Sequence, residues 1–219
     1  RAKGYAPFCV AATVGTTSST AVDPVDAIAD ICEKEKIWFH LDCAYGGVTA
    51  MLPEMKKYFK GFDRTDSIVF NPHKWLFVPM DFSILFTRKP EVLKEAFSLV
   101  PEYLKTSQDN EVINYMDYGI QLGRRFRAIK FWFVLRYFGA EGLRERLREH
   151  LRLGQLFAKW IDDNPDFERL APTHFSTVAF RAHPKNLSDE KEINSLNEKL
   201  LERINATGKV FMSHTKLNG

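Results

Sequence analysis

The sequence predicts an α/β fold, with a mainly parallel sheet covered by helices and then part of a smaller α+β domain. Three observations predict it. Short apolar, β-rich runs alternate with helical patterns through residues 1–90. Two of those runs end in polar residues, Asp42 and the stretch from Asn71 to Lys74. Beyond residue 138 the pattern changes to a long helix and then strand, helix, strand, so we divide the chain at 1–138 and 139–219, the second part cut short.

Taken in order, residues 8–13 (FCVAAT) are a buried strand and 15–20 (GTTSST) a polar turn. Asp23 and Pro24 read as an N-cap and first helical position. The helix runs to about Lys36, with Val25, Ile28, Ala29, Ile31 and Cys32 on one face. Residues 37–41 (IWFHL) form the second strand, followed by a helical stretch over 47–59 interrupted near Pro53. Residues 67–70 and 82–87 are the third and fourth strands, and 91–99 a helix. Residues 100–110 carry few apolar anchors and read as a mobile loop. Helices follow over 124–138 and 141–162, with Gly139 between them as a C-cap. Residues 175–181 alternate like a strand, 188–206 have a helical period, and 209–214 read as a last strand.

Composition removes several function classes. Of 219 residues, 45% are hydrophobic and 27% charged, and the formal charge is only +3. So small an excess gives no reason to expect a nucleic-acid or membrane partner. No apolar run approaches the roughly 18–20 residues of a membrane-spanning helix. Eighteen Phe, four Trp and seven Tyr argue against disorder. Three cysteines, Cys9, Cys32 and Cys43, with no CxxC pair, exclude a disulfide framework or a CxxC-type zinc site. They fit a reducing compartment, and we expect a cytoplasmic protein. No metal site is expected. With no initiator Met and no signal-peptide pattern, the chain reads as an excerpt of a longer protein.

Asp42 and Lys74 carry the chemistry. Each lies just past an apolar strand, and in open α/β sheets ligands bind beyond the carboxyl ends of strands. A carboxylate after so apolar a run needs a buried cationic or donor partner. A lysine flanked by Phe70 and Trp75 can have a lowered pKa, which suits Schiff-base chemistry. Pyridoxal phosphate (PLP) needs both groups: a lysine that holds it covalently, and a carboxylate that keeps its ring nitrogen protonated so that the ring is an electron sink.

The motifs HLDCAYGG from His40 and NPHKW from Asn71 resemble those of the group II PLP-dependent amino-acid decarboxylases, nearest the aromatic-L-amino-acid branch. The resemblance extends through Ala12 to Thr17 upstream and Leu122 to Arg127 downstream, and covers essentially the whole chain. It implies a PLP-dependent transferase fold of type I, aspartate aminotransferase-like. It implies an L-amino acid substrate, an amine and CO2 as products, and a homodimer. By the same resemblance Lys74 binds the cofactor and Asp42 pairs with its ring nitrogen. Ala44 packs on the ring face, Thr17 lies near the phenolic oxygen, and Asn71 and His73 line the phosphate end. Tyr103 protonates the α-carbon after CO2 leaves; relatives that make aldehydes carry phenylalanine there. Gly123 matches a pocket-floor position and leaves room for a large ring, which favours an aromatic substrate. Cys43 departs from the commoner alanine, and the loop between Tyr103 and Gly123 is slightly short. Most of the phosphate-binding residues and the histidine that stacks on the other ring face would lie upstream.

Ordinary readings stand beside these. Alone, Lys74 is a surface lysine and Asp42 a strand-end turn residue. His73 reads equally as a structural neighbour, His40 as a core or interface histidine, and Tyr103 as an exposed loop aromatic. The basic–aromatic run from Arg124 to Lys130 can bind nucleic acid in other settings, but Glu141, Glu145 and Glu149 follow it. It reads as a helix start beside the site or dimer interface. Arg144, Arg146, Arg148 and Arg152 read as a solvated face. Two other functions stay open: a related PLP enzyme, either an aldehyde synthase or a glutamate-type decarboxylase, or an inactive fragment that acts only as a binding piece.

Overall fold

The computed structural model describes residues 4–98 and 112–217. Tyr103 and all of the loop expected at 100–110 therefore lie outside the described residues.

Four strands form the main sheet in the order β1–β2–β3–β4: Cys9–Thr13, Trp38–Asp42, Ser67–Phe70 and Ile84–Thr87. The first three are parallel and β4 is antiparallel to β3. On β2 the pleat sends Phe39 and Leu41 into the core and Trp38, His40 and Asp42 to the other, half-buried face. His40 and Trp38 both bond the Ser67 hydroxyl, at 2.8 and 2.9 Å, which fixes that face of β2 on β3.

Helix α1 (Val25–Glu35) buries Val25, Ala29 and Cys32, and ends at Lys36 in a left-handed conformation (φ 52°). Asp23 does not cap it. Its carboxylate instead accepts the Thr13 N–H at 2.8 Å, and so ties the helix entry to the end of β1. The connection between β2 and β3 holds three 3-10 segments, Gly46–Met51, Pro53–Phe59 and Phe62–Arg64, the first two broken at Pro53 as the sequence predicts. After β3 come a single turn, α2 (Pro72–Trp75), then β4 and α3 (Pro90–Phe97).

Helix α4 (Ala128–Asp162) is interrupted at Gly139 (φ 65°, ψ 172°), a backbone conformation that glycine reaches without a Cβ penalty. Leu143 and Leu147, just after the break, join the same core as Phe39, Leu41 and Leu52. Each such fully buried side chain contributes roughly 1.5–3 kcal/mol.

The C-terminal region departs from expectation in three places. Of the 175–181 run only Phe180 and Arg181 are strand, opening β6 (Phe180–Ala182), because Phe175 turns away and is fully buried in the main core. Its partner β5 (Phe167–Arg169) was not foreseen, since three residues give no alternation to read. Residues 209–214 are not a strand. The Asn205 side chain takes both the N–H and the C=O of Met212, and no strand pairs there among the described residues. Helix α5 (Glu190–Ala206) has a true cap: Asp189 accepts from the N–H groups of Lys191 and Glu192. Its Asn197 holds both backbone groups of Ala182 at 2.8 Å and so docks the helix on β6. Among the described residues no helix is long and apolar enough to cross a membrane.

Candidate active site

The site follows from the parallel register. Thr13 of β1, Asp42 of β2 and Val69 of β3 lie side by side, so the loops leaving all three strands share one edge. The pairing continues a step further: Val14 N–H donates to the Asp42 carbonyl and Cys43 N–H to the Val69 carbonyl. Glycine lets these loops converge. A Cβ at Gly46 would lie 2.5 Å from the Val14 carbonyl oxygen, and one at Gly47 would lie 2.9 Å from Cys43 Cβ.

Asp42 is half-buried. Its Oδ1 accepts the Ala44 N–H at 2.9 Å, so the donor expected from the sequence is a backbone group of its own loop. Oδ2 has no partner among the described residues. Ala44 is buried beside it. Cys43, between them, packs into the core, and burial, with the Asp42 charge second, pushes its thiol up to about 12. Burial likewise raises the Cys32 thiol, whereas Cys9 is exposed. A thiol reagent at pH 8 is therefore expected to modify Cys9 in the native protein and to spare Cys43 and Cys32 until denaturation. Mass mapping of the labelled cysteines checks this, and rapid native labelling of Cys43 would contradict it.

On the neighbouring strand, Asn71 leads into α2 with Pro72 at its first position. A helix turns about 100° per residue, so Trp75 and Lys74 face different ways. Trp75 enters the core and Lys74 is exposed, which corrects the expectation that Lys74 has apolar surroundings. Its ammonium has no hydrogen-bond or ion-pair partner among the described residues. Asn71 Oδ1 accepts from the Ser83 hydroxyl at 2.6 Å. His73 Nδ1 accepts the Phe82 N–H at 2.8 Å, so in the neutral ring the proton is on Nε2.

Thr17 stands exposed in the loop after β1, while Thr16 uses its hydroxyl on that loop, accepting the Ala21 N–H at 2.9 Å. Gly123 is also exposed, and a Cβ there would meet nothing within 4 Å. Of the basic run, Arg127 pairs with Asp81, whose carboxyl it holds below the usual range, and Lys130 donates to the Pro79 and Asp81 carbonyls.

Sequence reasoning missed an aromatic cluster behind α2. Tyr45 stacks on Trp75 with centroids 4.9 Å apart, and Phe175 meets both rings edge-on. The Tyr45 hydroxyl bonds Ser176 and Thr177, and the Trp75 indole donates to His150. Tyr45 and Trp75 lie inside the two quoted motifs, which was the available signal. His150 and Phe175 carry none.

The edge thus offers one carboxylate oxygen and one primary amine that have no partner among the described residues, with a hydroxyl on the adjoining loop. That donor set fits a pyridine ring bearing an aldehyde and a phenolic oxygen. Residues 1–183 match the family model of the pyridoxal-dependent decarboxylase conserved domain, and the chain belongs to that family. It is 41% identical over 221 residues to a tryptophan decarboxylase of Camptotheca acuminata, covering all of this chain and 44% of the relative. It is 44% identical over 218 residues to a phenylacetaldehyde synthase of Arabidopsis thaliana, covering 99% of this chain and 44% of the relative. The crystal structure of Oryza sativa TDC with PLP and tryptamine superimposes with a TM-score of 0.93 at 37% identity, over 100% of this chain and 46% of that one. The chain therefore spans less than half the length of these relatives.

Proposed function

We propose that the protein containing this chain is a PLP-dependent carboxy-lyase that converts an aromatic L-amino acid, such as Tyr, Trp, Phe or DOPA, to its amine and CO2. The observation that carries this reading is the parallel pairing of β2 with β3, which delivers Asp42 and the Lys74 turn to one edge. Lys74 would hold the cofactor covalently through its amine. The free Asp42 oxygen pairs with the ring nitrogen, and the Ala44 N–H on the other oxygen keeps the carboxylate aimed. Ala44 packs on the ring, and Thr17 serves the phenolic oxygen. Asn71 and His73, fixed by Ser83 and Phe82, line the phosphate end. The bound cofactor supplies an electron sink for the pair released when the Cα–carboxylate bond breaks. Tyr103 returns a proton to Cα. Gly123 leaves space for the aromatic ring.

We further read residues 1–138 as part of the large cofactor-binding domain and 139–219 as part of the small one. The enzyme is read as a cytoplasmic homodimer. Phe126 and Tyr137, 74% and 83% exposed, are aromatic side chains that a second chain would cover.

A second reading, an aldehyde synthase, is favoured by the likeness to a phenylacetaldehyde synthase. In that chemistry O2 and water are consumed, and aldehyde, CO2, ammonia and peroxide are released. Tyr103 separates the two. The wild-type enzyme is expected to give amine, and Tyr103→Phe to divert most turnovers to aldehyde with matching peroxide. Product analysis across an amino-acid panel tests this. Amine as the only product of Tyr103→Phe would remove the role of Tyr103, and aldehyde from the wild type would favour the second reading.

A further inference from the structure

Trp75 directly follows Lys74 in α2, a turn of only four residues. So short a helix does not hold its own geometry, because helix formation needs a longer run to offset nucleation. What fixes Lys74 must be the contacts of its neighbours. Trp75 is buried, and its indole N–H donates to His150 Nδ1 at 2.9 Å. The two ring planes are within 7° and their centroids 6.5 Å apart, the arrangement of two rings joined edge to edge. The indole nitrogen is a donor only, so Nδ1 accepts and the neutral imidazole keeps its proton on Nε2. His150 is in turn held by the Phe77 ring at 5.7 Å. Phe77 has a left-handed backbone (φ 60°), a strained conformation for so bulky a residue, three positions after Lys74. Tyr45 stacks on Trp75 from the Asp42 loop and is anchored through its hydroxyl to Ser176 at 2.8 Å.

One indole thus joins the lysine turn, the aspartate loop and the long helix. We propose that His150 is a positioning residue for Lys74, acting through the Trp75 indole. It belongs to no motif that bears on the reaction, and among the described residues no hydrogen bond or ring contact joins it to Lys74 or Asp42. Its acceptor nitrogen sets the rotation of Trp75, and through the shared backbone of α2 the direction in which the Lys74 amine leaves the turn. An error of about 1 Å in such placement costs up to about 100-fold in rate.

The proposal rests on Lys74 as the cofactor lysine, and the test keeps the two apart. In the full-length protein without added cofactor, the indole N–H resonance of Trp75, assigned by its loss in Trp75→Phe, is expected to exchange slowly with water. It is expected to stay slow in His150→Asn, whose side-chain oxygen replaces Nδ1, and to become fast in His150→Phe, which keeps a ring but no acceptor. In the cofactor-loaded enzyme, His150→Phe is expected to lose about 10- to 100-fold in kcat with KM within about twofold, and His150→Asn to recover to within about threefold. Fast exchange in the wild type overturns the proposal whether or not any variant folds. So does a folded His150→Phe with wild-type kcat, or equal losses in both variants. If borohydride traps no cofactor on Lys74 of the wild type while the indole results hold, the functional reading fails and the indole clamp stands as structure alone.

Discussion

Lys74→Arg is expected to lower amino-acid decarboxylation by at least about a thousandfold while leaving the fold unchanged. The charge is retained, but a guanidinium stays protonated at any working pH and cannot serve as the amine that holds the cofactor. Stability is not at stake, because Lys74 is exposed and its ammonium has no partner among the described residues. Steady-state kinetics with thermal melting checks this. Activity within tenfold of wild type, with a normal melt, would take Lys74 out of the chemistry.

Phe175→Ala is expected to be the most destabilising single change in the C-terminal region, at about 3–5 kcal/mol. Its ring is fully buried, with centroids 5.6 Å from Tyr58, 6.0 Å from Tyr45 and 6.3 Å from Trp75. The surroundings cannot collapse easily. Gly154 of α4 lies so close that a Cβ there would be 3.2 Å from the Phe175 carbonyl oxygen and 2.9 Å from Ser176 Cα. The melting temperature should fall by on the order of 10 °C. Phe175→Leu, which fills more of the space, should lose clearly less. A loss under about 1 kcal/mol in Phe175→Ala would mean that this ring does not join the C-terminal region to the main core.

The main sheet was legible because its second strand alternates, with one face buried. Phe39 and Leu41 could face only inward, and the polar residues that end the strands marked one shared edge of the sheet without any contact being known. Asp42 and the Lys74 turn were placed at that edge in this way, each from its own apolar run. The exposure of Lys74 was not legible, since apolar sequence neighbours do not surround a residue on a turn that rotates each side chain by about 100°. The short strands of the C-terminal region were the harder case. Phe175 looks like the first residue of an alternating strand, yet the large core takes it. Residues 209–214 hold a short apolar run, Val210 to Met212, but a strand needs a partner, and Asn205 satisfies Met212 instead. His150 was hidden among Glu149, Arg148 and Arg152, where local pattern reads only a solvated face. Its role depends on Trp75, 75 positions away in sequence.

The central claim is that Lys74 carries the cofactor. Borohydride reduction of the full-length protein incubated with PLP, followed by peptide mapping, tests it most directly. The account predicts a pyridoxyl adduct on the peptide containing Lys74, absent from Lys74→Arg. An adduct confined to another lysine, or none in a protein that decarboxylates amino acids, would contradict it.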